Sequence, residues 1–272
     1  MMNNLAILLP IYLNDKADYL KQTINSLRDQ TFKNFDVIFL IDGPISNELN
    51  DLIIETKDIN AIILRFDKNR GLPSVLNDGI KYCIKNNYQF IGRIDADDIA
   101  LPDRFEKQMK YLIENVEIDV VGGAIEEIDE MGNSYGKVIH YPLDHKSCYK
   151  FFKRRDPLAH PAVLFRNTFF KKAGLYNKEY IKNQDTILWL EGFKNGCKFA
   201  NLEDIVLKFR MDSFFFRKRR GGFKRAKELL LIRIKVSKEL NYGIIGIFYA
   251  IILFSITIAP TFIRKITYKY LR

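Results

Sequence analysis

Residues 88–98 read Tyr88-Gln89-Phe90-Ile91-Gly92-Arg93-Ile94-Asp95-Ala96-Asp97-Asp98. The segment 88–94 is largely apolar, as expected of a strand buried on both faces, and three carboxylates within four residues follow it. Like charges so close repel, and beside a buried strand they are costly unless a cation sits among them. A hard divalent ion with oxygen ligands fits. Mg²⁺ usually keeps one or two protein carboxylates and takes its other ligands from water and phosphate oxygens. Asp95 and Asp97 therefore point to a divalent metal site, Mg or Mn, carrying a diphosphate. The competing reading, a solvated acidic turn, suits an isolated Asp-x-Asp; the strand before it and the company it keeps decide against that.

The company lies upstream. A continuous apolar run at 4–11 and the stretch 35–41 read as buried strands, 60–66 reads as a third strand, and helical spacing appears at 17–29, 46–57 and 72–87. Strands alternating with helices imply a parallel sheet with right-handed crossovers, and ligands in such sheets bind at the carboxyl ends of the strands. Pro10-Ile11-Tyr12, Asp42-Gly43, Asp67-Lys68-Asn69 and Asp95–Asp98 all fall at that edge. The expected class is α/β: a Rossmann-like, mostly parallel sheet flanked by helices.

Beyond residue 100 the rhythm changes. A helix from Leu101-Pro102-Asp103 to about 114 precedes short strands near 118–129 and 134–140, separated by Met131-Gly132-Asn133. Residues 144–153, 167–173 and 184–195 read as helices, His160–Phe165 as a strand-like entry, and 198–201 and 205–210 as two short closing strands. No Pro/Gly/Ser-rich linker interrupts the body, so residues 1–210 form one expected domain, with halves at about 1–100 and 101–210. Residues 211–272 form a tail.

Charge separates the same two parts. The chain of 272 residues carries a net +10. Residues 205–272 hold 16 basic and 3 acidic side chains, a net +13, which leaves 1–204 at −3. With 47% hydrophobic and 28% charged residues, disordered and low-complexity classes are excluded. The mildly acidic body argues against a nucleic-acid partner. Cys83, Cys148 and Cys197 are odd in number and widely spaced, so they read as buried free thiols rather than a disulfide framework or metal set. Met-Met-Asn-Asn running into an apolar strand has no signal-peptide pattern, so the start of the chain is expected in the cytoplasm. No Gly-x-Gly-x-x-Gly or phosphate-loop pattern occurs, against a dehydrogenase or NTPase.

Taken in order, several short segments resemble the family 2 glycosyltransferases, nucleotide-sugar-dependent enzymes with a GT-A fold, in their branch of bacterial surface-polysaccharide enzymes. They are Leu9-Pro10-Ile11-Tyr12, Ser26–Phe32, Ile41-Asp42-Gly43-Pro44, Asn69-Arg70-Gly71-Leu72, Leu76-Asn77-Asp78-Gly79-Ile80, Arg93–Asp98, Leu101–Gln108, His160-Pro161 and Gln184-Asp185 with Trp189-Leu190. The resemblance covers about residues 4–220. It implies that 1–100 binds nucleotide and 101–210 acceptor. Pro10, Tyr12, Asn69, Arg70, Arg93 and Asp95 would contact the nucleotide sugar, and Asp42 would accept the base N–H, which fits uridine. Asp95 and Asp97 would hold the metal. Arg93 either balances the acidic cluster or makes a structural ion pair.

The resemblance also implies that Asp185 is the base of an inverting transfer, taking the acceptor hydroxyl's proton; a helix N-cap is the alternative. The family carries Glu-Asp here. Gln184 removes that neighbouring charge, so the Asp185 pKa is expected lower than in a Glu-Asp pair. Trp189, one turn on, either stacks on an acceptor sugar or belongs to the core, and His160 stands near the acceptor or diphosphate or is structural. The Gln-x-x-Arg-Trp of processive synthases is missing, so one sugar is transferred per encounter.

The tail has its own readings. Arg217-Lys218-Arg219-Arg220 follow three phenylalanines; Arg219 and Arg220 would grip the donor diphosphate as a flap, bind lipid or bilayer phosphates, or form a solvated face. Leu240–Ile263 contains no charged residue and is long enough to span a bilayer, but its polar residues equally suit an in-plane, re-entrant or soluble core helix. The membrane readings place the enzyme at the cytoplasmic face of the bacterial inner membrane, using a nucleotide sugar, UDP-linked, and a saccharide or lipid-linked acceptor. Two other classes stand against this: a sugar nucleotidyltransferase, which would need a Gly-rich triphosphate loop, and a non-enzymatic membrane- or nucleic-acid-binding module built on the tail.

Overall fold

A computed structural model describes residues 4–56, 59–211 and 222–271. Four strands, β1 (Leu5–Ile11), β2 (Phe35–Asp42), β3 (Ala61–Phe66) and β4 (Phe90–Arg93), run parallel in the order β3-β2-β1-β4. Helices α1 (Ala17–Arg28), α2 (Asn47–Glu55) and α3 (Leu72–Lys85) connect them. The apolar runs become strands because both sheet faces are covered. Leu5, Ile7, Leu9 and Ile11 pack into one core layer and Ala6 and Leu8 into the other. Every strand of this half therefore ends at the same edge, where the loops carry Tyr12, Asp42, Asn69 and Asp95.

The second half completes the sheet differently. A two-residue strand β5 (Ile99–Ala100) and α4 (Arg104–Glu114) lead into β6 (Val120–Ile128) and β7 (Ser134–Ile139). Then follow α5 (His145–Phe152), a 3₁₀ turn at His160–Ala162, β8 (Leu164–Arg166), α6 (Thr168–Ala173), α7 (Gln184–Lys194) and β9 (Phe199–Arg210). The strand order continues β4-β8-β6-β9-β5, with β7 against β6. β8 is antiparallel to β4 and β6, whereas β6 and β9 pair in parallel along most of their length. The expected mostly parallel α/β sheet is thus present, with antiparallel insertions.

Two local expectations are corrected. The closing strands are one 12-residue strand, β9. Its register against β6 shifts at Gly123–Ile125, so the polar stretch 201–204 is absorbed as an irregularity instead of ending the strand. His160–Ala162 is a 3₁₀ turn, and extended pairing starts at Leu164.

The C-terminal part folds against the body. Helix α8 (Phe223–Glu239) buries Val236, and Leu240 just beyond it joins the cluster containing Trp189 and Phe193. Arg233 pairs with Asp156, and Tyr149 and Tyr242 donate their hydroxyls to the carbonyls of Leu240 and Tyr149. The uncharged run is not one continuous helix. Asn241 adopts positive φ, α9 (Gly243–Ile258) has 16 residues, and Ala259-Pro260 separates it from α10 (Thr261–Leu271). No helix among the described residues is long and apolar enough to cross a membrane.

One turn holds the site edge at close quarters. Gly43, after β2, sits at φ +86°, and a Cβ there would lie 2.6 Å from the backbone nitrogen of Asn69. Gly43→Ala is expected to destabilise the chain by about 2 kcal/mol, because it adds left-handed strain to a clash with backbone that cannot rotate away. A lower urea midpoint with unchanged slope would register it.

Candidate functional site

Two clefts lie at the functional edge. The first, of about 380 Å³, is lined by Pro10, Tyr12, Asp15, Asp42, Asn69, Asp95 and Asp97 with apolar neighbours. The structure thus gathers Pro10, Tyr12, Asp42, Asn69, Asp95 and Asp97 from four strand ends. Asp42 is buried and accepts the backbone N–H groups of Arg70 (2.7 Å) and Gly71 (2.9 Å), so it clamps the 69–71 loop onto the cleft. Arg70 diverges: its guanidinium pairs with Asp78 at 2.6 Å and lies over the Phe66 ring, away from the lining.

The acidic turn has a buried cationic base. Asp98 is fully buried, accepts the Arg210 N–H at 3.0 Å through Oδ1, and leaves Oδ2 without a hydrogen-bond partner. Burial and the charges of Asp97 and Asp95 hold its carboxyl well above the usual range. Arg93, also buried, pairs with Asp95. Arg104 is buried beside them and donates to the Arg93 carbonyl at 2.8 Å; burial lowers its pKa to about 9. Ligand oxygens of Asp95, Asp97 and Asp98 lie within 4.8 Å of one another. Three convergent carboxylates, among them Asp98 with one buried oxygen unpartnered, fit a hard divalent cation.

The second cleft, of about 400 Å³, lies between the body and the C-terminal helices and contains Asp156, His160 and Asp185. Asp185 is the second residue of α7. The N-cap position belongs to Asn183, in left-handed conformation, so the N-cap alternative for Asp185 falls away. Its carboxyl is pushed up to about 6, first by burial and then by the charge of Asp156. With Gln184 uncharged, the negative neighbour of Asp185 comes from a distant part of the chain. Thr186 Oγ1 donates to Asp156 at 3.0 Å, and Arg233 pairs with it at 2.9 Å. No local motif marks Asp156; its signal is purely spatial.

His160 is buried and hydrogen-bonds the Tyr176 hydroxyl at 2.7 Å; burial and the Arg93 charge hold its pKa well below the usual value, so it is neutral. Tyr176 is buried, and its hydroxyl pKa is raised mainly by burial, with the charges of Asp185 and Asp95 adding to the shift. Trp189 is corrected to the core reading. It is 0% exposed and packed among His160, Phe165, Phe169 and Phe199, so no ring face is open to a sugar. The three cysteines are buried and free. Arg219 and Arg220 lie outside the described residues.

Residues 6–179 match the family profile described as Glycosyl transferase family 2. The amylovoran biosynthesis glycosyltransferase AmsE of Erwinia amylovora is 31% identical over 265 residues, 97% of each chain. An Escherichia coli UDP-Gal:alpha-D-GlcNAc-diphosphoundecaprenol beta-1,3-galactosyltransferase is 31% identical over 222 residues, 81% of this chain and 78% of that one. Among solved structures, the mannosyltransferase PcManGT from Pyrobaculum calidifontis, in complex with GDP-Man and Mn²⁺, superposes with a TM-score of 0.64 at 11% identity. It covers 98% of this chain and 80% of that one. That likeness bears out the GT-A architecture, and with the family match it makes this chain a glycosyltransferase belonging to glycosyl transferase family 2.

Proposed function

We propose that this glycosyltransferase inverts the anomeric centre as it moves one sugar from a UDP-linked donor to a saccharide or lipid-linked acceptor in bacterial surface-polysaccharide synthesis. The observation that carries this reading is the pair of clefts: Asp95 and Asp97 line one with Pro10, Tyr12 and Asp42, and Asp185 lines the other with Asp156 and His160. The relative that uses UDP-Gal and a diphosphoundecaprenol acceptor supports the base and acceptor class. The relative in amylovoran synthesis supports the pathway class.

In this reading the donor cleft binds the nucleotide between Pro10, Tyr12 and the loop that Asp42 clamps. Asp95, Asp97 and Asp98 are the residues that would hold a divalent ion, which supplies positive charge to the leaving diphosphate when bound. Asp185, in the other cleft, accepts the proton of the acceptor hydroxyl. As that oxygen bonds to the anomeric carbon, the bond to the nucleotide diphosphate breaks on the opposite face. The nucleoside diphosphate departs with the bonding electrons, and Asp185 is left protonated. Neutral His160, hydrogen-bonded to Tyr176, adds no charge to the wall of the Asp185 cleft. The exposed apolar residues of α9, among them Ile244 and Phe248, support a peripheral seat at the cytoplasmic face of the inner membrane.

Asp185→Asn is expected to lower turnover by roughly 10²- to 10⁴-fold while leaving UDP binding intact; full turnover in a transfer assay would remove Asp185 from the base role. A carboxylate base works only when ionised, so kcat should rise with pH through about 6 and level off above it. Asp156→Asn removes the like charge and frees Arg233, and both changes favour ionised Asp185. The rising limb should therefore move to lower pH in a kcat profile. Chelation by EDTA should weaken UDP-sugar binding measured calorimetrically, and Mn²⁺ or Mg²⁺ should restore it.

A further inference from the structure

Both flanks of Asp185 are held from α8. Before it stands Asn183, in left-handed conformation at φ +60°, the residue from which α7 starts. Its carbonyl accepts the Ile187 N–H at 3.2 Å, but its side chain makes no cap hydrogen bond to the helix. That side chain turns instead to α8, where Arg225 donates to Asn183 Oδ1 at 2.7 Å. After Asp185 stands Thr186, whose Oγ1 donates to Asp156 at 3.0 Å. Arg233, about two turns further along α8 than Arg225, holds Asp156 at 2.9 Å.

Docking of α8 does not hang on Arg225. The far end of the helix is anchored by Val236 and Leu240 in the core and by Glu239, which pairs with Lys194 at 2.5 Å. Arg225 sits at the opposite end, on the wall of the cleft that holds Asp185. One of its terminal nitrogens is buried with no hydrogen-bond partner among the described residues, so the bond to Asn183 is what fixes the guanidinium there. Asparagine enters the left-handed region more readily than most residues but is not confined to it. A partner for its side chain therefore decides how firmly the turn is set. The turn in turn decides where α7 points its first residues, Asp185 among them.

We propose that Arg225 is a positioning residue for Asp185: by holding the Asn183 amide it sets the left-handed turn that starts α7, and with it the direction in which the Asp185 carboxylate enters the cleft. Arg233, acting through Asp156 and Thr186, fixes the other flank. This rests on the reading of Asp185 as the base and adds to it the residues of the tail that aim it. Loss of aim slows proton transfer and leaves the donor cleft, lined by Pro10, Tyr12, Asp42, Asp95 and Asp97, unaltered.

The test assays the full chain with Mn²⁺ and, in turn, UDP-galactose, UDP-glucose and UDP-N-acetylglucosamine, following release of UDP with water as acceptor. The water oxygen bonds to the anomeric carbon, one of its protons passes to Asp185, and UDP leaves with the bonding electrons. With the donor cleaved fastest, Arg225→Met and Asn183→Gly should each lower kcat by roughly tenfold to hundredfold and leave KM for the donor within about twofold. Glycine keeps the left-handed backbone and removes only the amide. The two changes therefore cut the same contact, and the double variant should be no slower than the slower single one. Arg225→Lys, which keeps a donor and a charge, should recover most of the lost kcat. Lys194→Gln, which frees the far end of α8, should lower the thermal midpoint and leave kcat unchanged. Effects that multiply in the double variant overturn the proposal, as does a fall in kcat for Lys194→Gln as large as for Arg225→Met, since either traces the loss to general packing. Unchanged kcat in Arg225→Met and Asn183→Gly overturns it too. Asp185→Asn, run alongside, separates the two readings. If it keeps full turnover, the base assignment fails; if it loses turnover while the arginine and asparagine variants stay normal, the positioning role alone falls. No UDP release from any of the three donors by the unaltered chain would instead sink the UDP-linked donor reading.

Discussion

The geometry of the donor side depends on a carboxylate that no substrate can touch. Asp98 is fully buried, and a buried charge is tolerated only when opposite charges and hydrogen bonds surround it. Arg93 and Arg104 supply the charge, and the Arg210 N–H supplies a hydrogen bond at 3.0 Å. The same Arg210 spreads its guanidinium over the carbonyls of Asp97 (2.8 Å), Asp129 (3.1 Å) and Glu130 (2.9 Å) and over Gln22 Oε1 (2.8 Å). Thr23 holds the turn from another side, donating to the carbonyls of Ala96 and Asp98. Helices α1 and α4, the β6–β7 turn and the end of β9 are thereby fastened to four residues. Asp95 and Asp97 are presented on a turn that Arg210 and Thr23 hold through the carbonyls of Ala96, Asp97 and Asp98 and the Asp98 carboxyl.

This explains which parts of the chain were legible in sequence. β1, β2 and β4 were readable because a strand covered on both faces is largely apolar, whereas β3, at the end of the sheet, is only partly buried and was readable from its place between two helical segments. The acidic turn was readable because three adjacent carboxylates have few stable solutions. Gln30 and Gln108 belong to the segments that carry the family resemblance, and their roles turn out to be structural. Gln30 donates to the carbonyls of Ser26 and Leu101 and accepts from the Phe105 N–H. Gln108 spans to the carbonyls of Gly122 and Ala162. Both are buried amides joining elements that the apolar pattern alone would leave unconnected.

What escaped the sequence was of two kinds. Irregularities hid in local pattern: β9 looked like two strands because its polar middle is a register shift, and β5 is two residues long. Interactions across sequence were invisible by nature. Asp156 has no motif, yet it lies near Asp185 because Thr186, next to the base, donates to it. Trp189 shares a helix with Asp185, but α7 is almost wholly buried past its first turn, so a shared face meant shared packing. Asp42 was found by position, and its clamp on Arg70 and Gly71 explains why a carboxylate is useful there even before any base is bound.

The asymmetry of charge takes on a different meaning in three dimensions. A net +13 on the last quarter suggests an appendage that seeks anions outside the protein. Helix α8 instead turns Arg225 and Arg233 inward, toward the Asp156–Asp185 pair, and buries Val236 against the body. Part of the basic excess therefore does intramolecular work: it keeps two neighbouring carboxylates from repelling each other strongly enough to hold Asp185 protonated at neutral pH. Burial and Asp156 raise the Asp185 pKa, while Arg93 and Arg233 hold it down, and the balance at about 6 leaves the carboxyl mostly ionised where cells operate and still able to hold a proton briefly. In the mechanism proposed for Asp185, a base so poised requires the tail to be docked, which would tie proton transfer to the same helices that carry the exposed apolar surface.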